Sequence, residues 1–388
     1  HRRPRRHGAA FLSSASLRLA LAGLAALALA MGIGRFAFTP VLPMMLAERA
    51  LTLGESGWLA SANYAGYLAG ALSAIGLRVR ASTAIRAGLL LMALSTVAMG
   101  LSGHFAVWLV LRAIAGVASA WVLVFVSASI LERLARAGRA ELGGTVYAGV
   151  GLGIVAAGFA CLALMAAGAS SSAAWLVLGA ASLALTFLLW RGLEAPSSTG
   201  PGDRAQSPDL SRAELARLVL SYGAFGFGYI IPATFLPVMA REAIESPALF
   251  GWAWPVFGAA AAASTFAAAR LARTLGYRGL WIASSLVMAF GVAAPLFIPG
   301  LAGILAAALC VGSTFVVITM AGLQEARRLA GERARGLIAG MTSAFALGQI
   351  VGPLAASALV QWSGGFAPAL VVAAAFLAAS AIALARRA

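Results

Sequence analysis

The sequence has no lysine, 12 acidic residues, two cysteines and three histidines in 388 positions. Cys161 and Cys310 each sit inside an apolar run, which excludes a disulfide framework. His1, His7 and His104 are too few and too scattered for a metal site. Charged residues reach 10%, against roughly 25% in an ordinary soluble domain. At 62% hydrophobic residues, a soluble chain would lack the polar surface to cover itself. Composition therefore excludes a soluble enzyme, a disordered chain and a collagen-like fibre. All 28 basic residues are arginine, and the formal net charge is +16. That charge does not point to nucleic acid, because the arginines share the chain with long apolar runs. A polytopic membrane protein remains.

A helix crosses a bilayer with about 20 mostly apolar residues. On that criterion twelve spans are predicted, near 17–47, 54–77, 82–102, 105–131, 141–167 and 172–191, then 213–240, 248–271, 278–298, 301–325, 335–361 and 366–385. The runs are rich in Ala and Leu and lack the period-two alternation of a membrane barrel. The predicted fold class is all-α. Arg2, Arg3, Arg5 and Arg6 precede the first span, as basic residues precede a secretory signal. A signal's apolar core is about 7–15 residues long. Here the run continues through Pro40 to Leu46, which predicts a retained helix. The chain starts at His1 rather than Met, so an incomplete N-terminus is expected.

The arginines predict the orientation. Of the 28, 24 lie before span 1, in alternate connections after it, or near the span ends beside those connections. The opposite connections hold Arg49 and Arg241, and Arg35 and Arg112 lie within spans. Basic residues are retained on the cytoplasmic side. Both termini are therefore expected in the cytoplasm, and most of these charges read as topology signals on solvated loops. Residues 192–211, with Pro196, Gly200, Pro201 and Pro208, have the composition of a flexible linker. The predicted division is a cytoplasmic segment 1–16, a six-helix bundle 17–191, a cytoplasmic linker 192–211 and a six-helix bundle 212–388.

The two bundles repeat each other. Ala30-Met-Gly32-Ile-Gly34-Arg35 and Leu42-Pro43 in span 1 match Ala224-Phe-Gly226-Phe-Gly228-Tyr229 and Leu236-Pro237 in span 7, at an offset of 194. Gly57-Trp58 and Gly251-Trp252 keep that offset at the starts of spans 2 and 8. Gly149 and Gly153 in span 5 correspond to Gly348 and Gly352 in span 11. Small residues four apart let helix backbones approach closely in lipid. Six spans per half makes the repeats parallel, the arrangement of transporters with a midplane site between two halves.

The string Gly32-Ile-Gly-Arg-Phe-Ala-Phe-Thr-Pro-Val-Leu-Pro43 resembles the opening helix of major facilitator transporters of the YbfB/YjiJ type. Gly57-Trp-Leu-Ala-Ser-Ala-Asn63-Tyr64-Ala-Gly-Tyr67-Leu resembles their second helix, and the resemblance covers essentially the whole chain. It implies a twelve-helix carrier of the bacterial inner membrane, multi-pass, with helices 1 and 4 beside a central cavity. Arg112-Ala-Ile-Ala-Gly116 resembles the superfamily's Arg-x-x-x-Gly signature on the fourth helix, associated there with coupling or with bonding backbone carbonyls. The loop after span 2, Gly76-Leu-Arg78-Val-Arg80, departs from the family by having no Asp, and so does 270–278 after span 8. The resemblance therefore does not extend to a gate with an acidic partner there.

A central Arg costs roughly 2.5–3.5 kcal/mol on insertion scales, so Arg35 and Arg112 need a reason to be where they are. At 1.5 Å per residue, both lie on the order of 12–20 Å from the outer ends of their spans. The expected role of Arg35 is a forked hydrogen bond to an anionic group, with both guanidiniums facing one water-filled space. Tyr229 replaces Arg35 in the repeat, so the halves differ where a site would be built. The candidate substrate-binding set is Arg35, Asn63, Tyr64, Arg112, Tyr229 and Gln349. Tyr67, Tyr147, Tyr222 and Trp254 are secondary candidates, each with a packing alternative. Trp108, Trp175, Trp190, Trp281 and Trp362 near span ends are expected to be interfacial anchors. Pro40, Pro43, Pro232 and Pro237 are expected to bend spans 1 and 7.

All 12 acidic residues fall in loops or near span ends, Glu325 coming closest to an embedded position, so no buried carboxylate relay is expected. The function expected is secondary transport, by alternating access, of a small anionic organic solute, not catalysis. Drug or metabolite efflux is the alternative, and a membrane sensor or embedded enzyme a remote one. The expected partners are the solute, a proton or counter-ion, and the lipid bilayer, with no nucleic acid, cofactor or metal. The chain is expected to be a monomer. The orientation is testable by single-cysteine labelling in cells. An impermeant maleimide should label Ala50→Cys from outside and should label Gly138→Cys only after permeabilisation; the reverse pattern would contradict it.

Overall fold

The computed structural model describes residues 6–193, 211–243, 251–330 and 334–386. Most of the 192–211 linker, and Glu194, Asp203, Asp209, Glu245 and Glu332, lie outside the described residues. The regular elements described are all helical. They are α1 (Arg6–Leu27), a π-helical segment (Ala28–Arg35), α2 (Phe38–Ala47), α3 (Leu53–Gly76), α4 (Ala81–Leu101) and α5 (Phe105–Arg136). After them come α6 (Gly143–Ala166), α7 (Ser171–Leu189), α8 (Arg212–Ala243), α9 (Ala253–Ala293), α10 (Gly300–Ala330), α11 (Ala334–Ser363) and α12 (Ala367–Ala385), with single 3₁₀ turns before α6 and after α9.

Ten stretches are long and apolar enough to cross a membrane among the described residues. α3 falls short of that apolarity because Ser56, Ser61, Asn63 and Tyr64 lie along it, and all four are buried. Its polarity thus faces protein. A reciprocal cap starts it: Thr52 Oγ1 accepts from the Glu55 amide at 3.2 Å, and Glu55 Oε2 accepts from the Thr52 amide at 2.7 Å. α9 is broken at Gly276, with φ 68° and ψ 165°. Only glycine takes that conformation cheaply, and it separates the two spans read from the sequence there.

Span 1 departs from α geometry earlier than its prolines led us to expect. The π turn occupies Ala28–Arg35, ahead of Pro40 and Pro43. Close packing accompanies it: a methyl group on Gly32 would lie 2.4 Å from the Gly153 backbone. Pro40 acts locally. It has no N–H for the Phe36 carbonyl, which accepts from the Thr39 amide at 3.1 Å instead. Pro232 and Pro237 sit inside one continuous helix, α8.

Small residues set the packing. A methyl on Gly149 would meet the Leu24 carbonyl oxygen at 2.0 Å, and one on Gly348 the Gly223 carbonyl oxygen at 2.5 Å. Before the linker, α3 packs on α5, and α4 on α5 and α7; after it, α8 packs on α11 and α12, and α9 on α10. Across the two groups α3 meets α11, α6 meets α9 and α2 meets α8. On the face away from the arginine-rich loops these contacts are sealed by hydrogen bonds. Thr39 Oγ1 donates to Ala233 O at 2.7 Å, between positions 194 apart. Ser61 Oγ donates to Ile350 O at 2.6 Å, Ser357 Oγ to Leu53 O at 3.2 Å, and Arg241 Nη1 to Pro43 O at 2.7 Å.

The arginine-rich face has its own ties. Arg86 Nε donates to Trp190 O at 3.0 Å and Arg278 Nε to Leu384 O at 2.8 Å, satisfying helix-end carbonyls at matching places. Glu214 pairs with Arg217 at 2.6 Å and with Arg278. The loop after span 8 thus finds its acidic partner on α8 rather than within its own sequence. Three tryptophans correct the anchor reading. Trp108, Trp175 and Trp281 are buried against protein, and Trp108 Nε1 donates to Ser102 O at 2.9 Å. Trp362, by contrast, is 82% exposed.

The glycine contact supports a direct test. Gly153→Val forces apart α6 and the π segment, and overpacking of this kind costs about 1–3 kcal/mol. The purified variant should melt several degrees lower in detergent. Gly103→Ala, where a methyl meets open space, should melt with the parent; equal melting of both variants would contradict the packing.

Candidate functional site

A cavity of about 530 Å³ lies between the two groups of helices. Glu132, Gln324 and Arg327, near the arginine-rich ends of α5 and α10, line its mouth, and Arg35 lines its floor. Phe36, Tyr67, Tyr147, Tyr229, Phe315 and Phe345 supply the rings of the wall, and aliphatic side chains such as Met31, Leu123, Val150 and Val316 supply the rest of its apolar surface. The volume falls within the roughly 300–1,000 Å³ of small-molecule pockets. A larger groove of about 1090 Å³ runs beside α9, α10 and α12. Its carboxylates are already matched, Glu214 by Arg217 and Arg278, and Glu325 by Arg328 at 2.8 Å. The central cavity is the candidate site.

Arg35 ends the π segment and is 3% exposed. Its Nη2 donates to Gln349 Oε1 at 2.6 Å. A guanidinium only donates, so the amide oxygen must face it and the amide nitrogen must face away. Gln349 Nε2 accordingly donates to the Tyr229 hydroxyl. Arg35 and Tyr229, equivalent in the sequence repeat, thus meet on one amide from α11. The guanidinium carbon lies 3.9 Å from the Tyr67 ring centre and 5.3 Å from that of Tyr64. Tyr229 is stacked between Phe315 and Phe345, with interplanar angles of 3° and 8°. Arg35 Nε is buried with no hydrogen-bond partner among the described residues.

Arg112 sits elsewhere. It does not line the cavity; its Nη1 donates to Gly34 O at 3.3 Å and its Nη2 to Arg35 O at 3.1 Å. Asn63 Nδ2 joins it, donating to Arg112 O at 2.9 Å and Gly34 O at 3.4 Å. Of the two guanidiniums expected to face one space, only that of Arg35 lines the cavity. The physical reason is the π turn, whose last carbonyls need donors that the helix does not supply. Tyr64 is buried and shares a hydrogen bond of 3.3 Å with Thr234 on α8, on the sealed side of Arg35. Of the secondary candidates, Tyr67 and Tyr147 line the cavity, Tyr147 sharing a 3.1 Å hydrogen bond with Ser127. Tyr222 packs among Phe225, Trp281 and Phe345, and Trp254 against Phe36 and Phe257.

Sequence reasoning missed Phe36, Phe315 and Phe345, Ser127, Thr319 and the Glu214 pairing. A phenylalanine in an apolar helix has the same sequence signature whether it faces lipid, core or cavity. Glu214 carried a usable signal, an acid one turn inside a span whose neighbours are basic.

A family model described as an uncharacterised MFS-type transporter, YbfB, matches residues 27–385. No curated protein matches the chain.

Removing the two arginines should have unequal effects on stability. Arg112→Leu strands the buried Arg35 carbonyl and leaves Gly34 O with only the longer bond from Asn63, and a buried unsatisfied group costs about 1–3 kcal/mol. Arg35→Leu removes a buried charge that no carboxylate balances. The melting temperature in detergent should fall further for Arg112→Leu. A larger fall for Arg35→Leu would contradict the division of roles.

Proposed function

The chain belongs to the YbfB-type family of major facilitator transporters, and on that premise we propose that it carries a small organic anion across the membrane by alternating access. The observation that carries the charge preference is Arg35: a buried cation on the cavity floor, with an unpartnered Nε and no carboxylate bonded to it. In this reading twelve spans form two parallel six-helix repeats, which the meeting of Thr39 with Ala233 and of Arg35 and Tyr229 on Gln349 supports. The arginine-rich face is cytoplasmic, the membrane is the bacterial inner membrane, and the structure corresponds to the inward-open state.

Arg35 and Tyr229, which line the cavity, form the contact set for the solute, and Gln349, which lies behind the lining, holds the two together. Arg112, Asn63 and Tyr64 support it from behind. A solute that draws the Arg35 guanidinium off Gln349 loosens the link between the repeats, because that amide also holds Tyr229. Opening to the other side then requires the hydrogen bonds described there to break: Thr39–Ala233, Ser61–Ile350, Ser357–Leu53, Arg241–Pro43 and Tyr64–Thr234. Each is worth about 0.5–1.5 kcal/mol net, small enough for solute binding to shift the balance. The one described carboxylate lining the cavity is Glu132, at its mouth. Uniport, anion exchange, or symport in which the solute carries the proton all fit that arrangement. The mainly apolar wall, with its six aromatic residues, favours a second reading, efflux of an apolar drug or metabolite.

A thermal-shift screen of carboxylates, phosphates, sugars and cationic drugs finds the solute class, and proteoliposome uptake of the best stabiliser tests the mechanism. Arg35→Ala should lower uptake at least tenfold, which corresponds to about 1.4 kcal/mol. Unchanged uptake by a folded Arg35→Ala protein would remove Arg35 from the mechanism. Stabilisation by cationic drugs alone would favour the efflux reading.

A further inference from the structure

Resting on the reading of Arg35 as the anion-binding group, we infer that the solute is a monoanion with an aromatic or similarly bulky apolar body: a carboxylate joined to a ring, not a polycarboxylate, a phosphate ester or a small inorganic anion. Two independent features of the cavity lead there.

The first is charge. The floor offers one cation, Arg35, and one of its donors is already committed to Gln349. The next basic group in the lining is Arg327. It is twelve residues further along α10 than Phe315, about 18 Å at 1.5 Å per residue. Glu132 shares the mouth with it, so a second anionic group there meets an acid as well as a base. A second negative charge nearer the floor would sit among ring faces. Those faces carry the negative part of the aromatic quadrupole, and burying a charge without a partner is costly.

The second is shape and surface. Tyr229, Phe315 and Phe345 form a parallel stack beside Arg35, with ring centres 5.8 and 5.7 Å apart. Phe36 meets Phe315 edge-on at 6.2 Å, and Tyr67 lies under the guanidinium. The wall therefore offers apolar surface and ring edges next to a single guanidinium. Acetate or chloride would satisfy Arg35 and leave that surface wet. A ring carried by the carboxylate covers it and releases the water. Of the five hydroxyls in the lining, those of Ser127 and Tyr147 are bonded to each other, Tyr229 accepts from Gln349 and Thr319 donates to Phe315 O at 2.9 Å, which leaves too few free to hydrate a sugar.

The test uses the full-length protein in detergent, with binding followed by calorimetry. The probes are 3-phenylpropionate, its neutral analogue 3-phenylpropanol, acetate, phthalate and inorganic phosphate. The acid should bind at least tenfold more tightly than the alcohol and than acetate, with phthalate and phosphate weaker still. Arg35→Gln should reduce the acid to the level of the alcohol. Phe345→Leu, which keeps every charge, should weaken 3-phenylpropionate severalfold and leave acetate unchanged, so the inference stays testable if the Arg35 variant fails to fold. If acetate, phthalate or phosphate binds as well as 3-phenylpropionate and loses binding in Arg35→Gln, the solute class is overturned while Arg35 remains the anion site. If 3-phenylpropionate binds equally to parent and a folded Arg35→Gln, both the class and the anion reading fall. Binding of none of the probes overturns the class.

Discussion

A guanidinium held inside an apolar bundle without a carboxylate is the constraint on which the rest depends. Its insertion costs roughly 2.5–3.5 kcal/mol. The hydrogen bond from Arg35 to Gln349 returns about 1.5–3 kcal/mol, as bonds to charged groups do. The ring of Tyr67 under the guanidinium returns about 0.5–2 kcal/mol. These terms nearly balance, so the protein tolerates the charge without neutralising it. A carboxylate in place of Gln349 would cancel the charge. The neutral amide leaves it for a ligand and at the same time couples it to Tyr229 of the other group of helices.

Holding that guanidinium in place takes most of the local architecture. Gly32, Gly149 and Gly153 let α6 lie against the first span at backbone distance. The π turn presents Arg35 to the cavity but leaves carbonyls that the helix does not satisfy. Arg112 and Asn63 answer them from α5 and α3. Two arginines with the same cost in the membrane thus divide the work, one binding backbone and one facing the cavity. The seal beyond them rests on single hydrogen bonds between hydroxyls, one guanidinium and backbone carbonyls. That suits a contact which must open and close.

Much of this was legible in the sequence because charge in an apolar run is rare. Arg35, Arg112, Asn63, Tyr229 and Gln349 stood out for their polarity, and the arginine-rich connections marked one face. The π turn did not show, since Gly-Ile-Gly is equally apolar in either helical form. The stacked wall of Tyr229, Phe315 and Phe345 did not show either, because the lipid-facing side of a helix is built from the same residues as a cavity wall. Trp108, Trp175 and Trp281 misled for a related reason: proximity to a span end does not say which way a side chain turns. The partner of Arg278 was sought in its own loop and lay on another helix. Contacts between distant segments follow from packing, which composition and spacing do not encode.

The central claim is that the site reads the ionised form of its ligand through a permanently charged group. The most direct measurement is the affinity for a weak acid across pH. Arginine stays protonated throughout the accessible range, so the pH dependence should be that of the ligand. The affinity for 3-phenylpropionate should rise as its carboxyl ionises, around pH 4–5 as for other carboxyl groups, and stay flat above about pH 6. An affinity that is flat across the whole range, or that rises as the acid becomes neutral, would contradict the account.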